Sequence, residues 1–179
     1  MATATTSQGT ARGVRHILGF PNPVNEKAAR VVAAGVTTMA LLVAVFGWGW
    51  VLIPLTYGFI ARVLTGPTLS PLGRFAVDVA APRLGEPRLT PGPPKRFAQG
   101  IGAVFTITGS LLWLVDAPGA ARVVTAMLAA AAFGEAAFGF CLGCRIFALL
   151  MRLGVIPETV CEDCNDLSLR LPSLAARNS

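Results

Sequence analysis

Four cysteines stand in two pairs, Cys141-Leu142-Gly143-Cys144 and Cys161-Glu162-Asp163-Cys164. Their C-x2-C-x16-C-x2-C spacing fits a zinc-type pattern, in which four thiolates close one tetrahedral site. Residues i and i+3 share a helix face, so Cys141 and Cys144 can address one ligand from the end of an apolar helix expected to continue toward Met151. Pro157 would end that helix and let the second pair fold back. Glu162 and Asp163 favour protonated thiols and attract cations. A helix C-terminus near Cys144 also opposes a thiolate, while Arg145 works the other way. A redox nucleophile prefers an electropositive setting, often a helix N-terminus; a metal brings its own positive charge. These electrostatics favour a metal on Cys141, Cys144, Cys161 and Cys164. Zinc is the expected ion, with iron or an iron–sulfur cluster as alternatives. Thiol–disulfide exchange or a sulfur relay between the pairs stays open, as do thiols with no cofactor at all.

Glu135 is the second chemical resource. An ionisable group within an apolar helix is costly and marks a functional position or a hydrogen-bonded cross-link between helices. Thr37, Thr38, Tyr57, Thr106 and Thr108 fall at comparable depths, roughly 9–15 Å from one set of helix ends at a 1.5 Å rise per residue. They are expected to converge on Glu135, with Tyr57 as its direct partner, and to keep it hydrogen-bonded, and neutral where no cation reaches it. The single histidine, His16, leaves little basis for histidine catalysis. The chain has no phosphate loop, no nucleophile elbow, no HExxH and no dinucleotide fingerprint.

The elements that must position these residues are apolar. Of the 179 residues, 54% are hydrophobic and only 13% charged, against about 25% charged in ordinary soluble domains. That excludes a water-soluble globule and a disordered chain. The net charge of +6 is spread through loops without an aromatic–basic patch, which points to an anionic lipid surface rather than nucleic acid. Four apolar segments, about 28–48, 49–64, 100–115 and 123–145, predict an all-α fold. The expected form is a four-helix transmembrane bundle of two helical hairpins, with a cytoplasmic loop and a cysteine-bearing C-terminal tail. Phe46-Gly47-Trp48-Gly49-Trp50 would join the first hairpin at the membrane boundary, and Asp116-Ala117-Pro118-Gly119 the second.

Residues 1–20 read as a flexible arm, 21–156 as the membrane domain and 157–179 as a cytoplasmic tail. Fourteen of the 15 Lys and Arg residues fall on the side of the termini and central loop; only Arg122 falls on the other. The positive-inside rule then predicts a multi-pass inner-membrane protein with both termini cytoplasmic. No cleavable signal peptide is expected. In the interfacial loop, 65–96, Ser70 and Pro71 should start a short amphipathic helix bearing Leu72, Phe75, Ala76 and Val79 on one face and stopped by Pro82. The later prolines, from Pro87 to Pro94, should be extended or turn-rich.

Val24-Asn25-Glu26, Gly92-Pro93-Pro94-Lys95-Arg96-Phe97-Ala98-Gln99-Gly100, Phe138-Gly139-Phe140-Cys141-Leu142-Gly143-Cys144 and Val160-Cys161-Glu162-Asp163-Cys164 resemble a bacterial integral-membrane family. It is known only as domain of unknown function 4395. The resemblance runs over about residues 20–166. It implies a small membrane protein with paired cysteines and carries no established activity. It also implies thioredoxin-like or sulfurtransferase proteins as partners, which would favour the redox alternative.

Overall fold

Asn25 starts the first long helix, α1 (Glu26–Phe46), by accepting a hydrogen bond from the Lys27 amide, and Glu26 complements the helix dipole in the first turn. Gly47 ends it in the left-handed region at φ 70°. Its N–H donates to the Val43 carbonyl and that of Trp48 to Leu42, the Schellman arrangement. This computed structural model describes residues 21–157 and Val160. The flexible-arm assignment to 1–20, His16, Cys161 and Cys164 lie outside the described residues.

A single turn of 3-10 helix (Gly49–Val51) leads into α2 (Leu52–Thr65). The loop helix follows as α3, which opens at Pro71–Arg74, widens to a π turn over Phe75–Ala80 and closes at Ala81–Arg83. Ser70 caps it by accepting from the Gly73 amide. Leu72 and Ala76 pack onto α1, whereas Phe75 stays exposed. A two-residue antiparallel ladder pairs β1 (Val24–Asn25) with β2 (Leu89–Thr90). Then come α4 (Gly92–Leu114), α5 (Pro118–Phe138) and α6 (Leu142–Arg152). The described fold is therefore all-helical apart from that ladder. Three of its helices, α1, α4 and α5, are long and apolar enough to cross a membrane, with Gly49–Thr65 a shorter apolar helix beside them.

Three boundaries differ from the sequence expectation, one of them the start of the fourth apolar helix, at Pro118 rather than near 123. The third apolar helix starts at Gly92, not near residue 100, with Pro93 and Pro94 in its first turn. Proline fits there because the missing N–H would have had no intrahelical partner. The fourth does not run on to residue 145. Gly139, at φ 68°, receives the end of α5 through the Glu135 carbonyl, and Phe140 takes the Gly134 carbonyl. The chain turns, and a separate helix starts after Cys141.

Packing also departs from two closed hairpins. The most extensive helix contacts are α1 with α5 and α2 with α4, while α1 and α2 touch over a small area. Ala28, Val32, Val36 and Ala40 of α1 meet Leu128, Ala129 and Ala132 of α5 in one core; these mostly small side chains permit a close approach. Two arginines fasten the pair. Arg30 donates to the Ala136 and Ala137 carbonyls at 3.1 and 2.8 Å, and Arg122 to the Ala44 and Val45 carbonyls at 2.8 and 2.7 Å. Each helix thus uses an arginine near its own start to cap the other's C-terminus.

Candidate functional site

The Gly139 turn reverses the electrostatic setting expected for the first cysteine pair. Cys141 is the N-cap of α6, with extended backbone, and Cys144 sits in that helix's first turn. The positive end of the helix dipole, not the negative end, faces the thiols. Both cysteines are free thiols; Cys141 is buried and Cys144 half-buried.

Gly143, between them, sets how closely they approach α4. A Cβ on Gly143 would stand 2.6 Å from both Cα and Cβ of Ala98, so only glycine allows this contact. One turn farther along, the Phe97 and Phe147 rings meet at 5.6 Å between centroids. The thiol pair is thereby held beside the start of α4, where Lys95 projects. Lys95 Nζ donates to Glu135 Oε1 at 2.5 Å. Both side chains are nearly withdrawn from solvent, at 10% and 15% exposure.

A second cation adjoins this pair. Arg62, at the end of α2, is buried; its Nε donates to Gln99 Oε1 at 2.8 Å and its Nη1 to Ser70 Oγ at 3.1 Å. Its guanidinium also lies 4.6 Å from the Phe59 ring centroid. Nη2 is buried without a hydrogen-bond partner. Arg62 and Lys95 both act on Glu135; of the three groups, Lys95 and Glu135 reach the thiols, with opposite signs. The pair responds asymmetrically. The hydrogen bond from Cys144 holds the Cys141 thiol below its ordinary range; burial and Glu135 oppose this, and Lys95 supports it. The same hydrogen bond, with burial, pushes Cys144 up. Cys141 is the sulfur prepared to carry negative charge.

The expected polar layer around Glu135 does not form. Tyr57 is exposed and donates to the Leu69 carbonyl at 3.0 Å. Thr37 is buried but bonds back to the Ala33 carbonyl, and Thr38 likewise to Ala34. Thr106 is buried against the Ala103 carbonyl, and Thr108 is exposed. Threonines in apolar helices satisfy themselves on the preceding turn, so none needs the glutamate. Its partner is Lys95, read from sequence as a loop charge because α4 was expected to start later. The Pro93-Pro94 helix start was the available signal. Among the described residues, no three metal-ligating side chains gather in one place.

The sequence string from Gly92 to Gln99 is thus a list of contacts. Lys95 meets Glu135, Arg96 donates to the Val63 carbonyl, Phe97 meets Phe147, Ala98 meets Gly143 and Gln99 meets Arg62. Residues 24–152 match the family model described as a domain of unknown function, DUF4395. The chain belongs to that family. No curated protein and no solved structure matches it. Within the DUF4395 region lie the Lys95–Glu135 pair, Arg62 and both Cys141 and Cys144; Cys161 and Cys164 follow it.

Proposed function

We propose that this DUF4395 protein is a membrane thiol–disulfide oxidoreductase whose working centre is Cys141–Cys144. The observation that carries the reading is the position of Cys141 as N-cap of α6, at the positive end of that helix's dipole. Electropositive, helix-N-terminal sites are where reactive thiolates occur. When the pair is a disulfide, an incoming thiolate attacks Cys144, the more exposed residue of the two, and Cys141 leaves as the stabilised thiolate. A second thiol of the donor then completes the exchange. Two donor thiols become a disulfide, and Cys141 and Cys144 become thiols.

The donor is the Cys161–Cys164 pair or a thioredoxin-like or sulfurtransferase partner. Val160, immediately before Cys161, lines a cavity of about 460 Å³ with Phe97 and Phe147, on the α4–α6 side that holds the first pair. The protein sits in the inner membrane with both termini cytoplasmic, a reading supported by the charge asymmetry and the three spanning-length helices.

Zinc held by all four cysteines is the competing reading. Anaerobic purification followed by metal and thiol counts separates the two. The redox reading expects no bound metal, and a disulfide trapped from Cys144 in Cys141→Ser but none from Cys141 in Cys144→Ser. One zinc per chain, lost equally on substituting any cysteine, would overturn it.

A further inference from the structure

A cavity of about 170 Å³ lies between α1, α4, α5 and α6, with Phe59 of α2 also on its wall. Its walls are apolar, built from residues such as Val32, Phe105, Leu128 and Ile146, and one end is polar, carrying Gln99, Glu135 and Cys141. Met127 and Ile146, both exposed, stand at its rim on helix faces that meet lipid in the membrane reading. The volume is close to that of an engineered cavity of about 150 Å³ that accepts benzene. It therefore suits one ring, with any substituent leaving past the rim. Cys144 is not among the lining residues. The two cysteines thus differ in their surroundings: Cys141 lines the cavity, and Cys144 is half-buried beside it.

We infer that this cavity receives the ring of a lipid-soluble quinone, which oxidises the Cys141–Cys144 dithiol. The inference rests on the redox reading above and supplies its electron acceptor. Converting a dithiol to a disulfide releases two electrons and two protons, which a quinone takes up in becoming a hydroquinone. Cys141 sulfur adds to a ring carbon, forming a C–S bond. Cys144 sulfur then attacks Cys141 sulfur, the S–S bond forms, and the C–S electron pair returns to the ring. The two thiol protons end on the two quinone oxygens. The polar end suits a carbonyl: Gln99 Oε1 is occupied by Arg62, which leaves the Nε2 hydrogens as donors to a quinone oxygen.

The test uses full-length reduced protein in detergent with decylubiquinone as the probe. Hydroquinone formation is followed by absorbance and the disulfide by thiol counting. One hydroquinone per disulfide is expected. Ala131→Phe, which places a ring in the cavity from a half-buried position on α5, should slow oxidation at least tenfold. It should leave the equilibrium of the pair with glutathione unchanged. Ile146→Trp is the second variant should the first fail to fold. Equilibration with glutathione but no oxidation by decylubiquinone would overturn the quinone assignment while leaving the redox centre standing. Failure of both reactions would remove the redox reading itself. Equal quinone rates in wild type and both filled variants would also overturn the inference and assign the cavity to a lipid chain.

Discussion

Arg30 and Arg122 make the same contact at opposite ends of the same helix pair, yet the two ends have different chemistry. At the Arg122 end the surroundings are aromatic. Trp48 and Trp50 are exposed and stacked at 6.2 Å, and Trp113 lies against Gly49. No cysteine and no buried ion pair is found there among the described residues. At the Arg30 end, two more cations, a carboxylate and the thiol pair are drawn inside. One kind of clasp serves both ends, so the clasp is structural. The chemistry comes from what is added at one end only: the early start of α4 and the break at Gly139.

The largest effect should come from breaking the buried ion pair. Glu135→Leu leaves Lys95 uncompensated, a change that costs about 3–5 kcal/mol for a buried pair. Thermal unfolding in detergent should show a large loss for Glu135→Leu and a smaller one for Glu135→Gln, which still accepts from Lys95. The double variant Lys95→Met/Glu135→Leu should recover much of the difference. Equal stability of all three would mean that the pair contributes nothing beyond the aromatic end.

Gly143→Ala comes next. The new methyl meets Ala98 Cα, a backbone atom that cannot rotate away, so α6 must lift from α4 at about 1–3 kcal/mol. The same substitution at Gly119, where the space is open, should change little. Arg30→Ala and Arg122→Ala should each cost about 1–2 kcal/mol by leaving helix-end carbonyls unpaired. Only Arg30→Ala should also alter thiol reactivity, measured as the rate of iodoacetamide alkylation.

The smallest expected effect is a pH shift. Cys144 donates to Cys141 and holds its thiol below the ordinary range, so alkylation of Cys141 should set in at lower pH than for a free thiol. Cys144→Ala removes the donor and should move that onset to higher pH; Cys144→Ser, which keeps a donor, should move it less. An onset that is the same in all three would sink the assignment of Cys141 as the charged sulfur.

The apolar helices were legible because twenty-residue apolar runs have few folded alternatives, and Glu135 stood out as an ionisable group inside one. The break before Cys141 was not. Phe138-Gly139-Phe140 continues an apolar run, and Gly139 reads equally as a packing glycine or as a left-handed cap; only the carbonyls it receives decide. That one ambiguity placed the first cysteine pair at the wrong end of a helix dipole. Lys95 was hidden by the prolines before it, which look like loop residues but occupy a helix's first turn. Helix partnership was the least accessible, since α1 and α5 recognise each other through alanines and through carbonyls that any sequence supplies.

The crossed arginines also bear on how the chain is made. Ala44 and Arg122 are 78 residues apart, and Arg30 and Ala136 are 106 apart. At about 5–20 residues per second of synthesis, the Ala44 and Val45 carbonyls wait about 4–16 s for their cap. Gly47 and Trp48 close only the Val43 and Leu42 carbonyls in the meantime. The first two helices therefore leave the ribosome as an unfinished half. Two fragments divided near Gly85, translated separately in one cell, should each be degraded alone and rescue one another when expressed together.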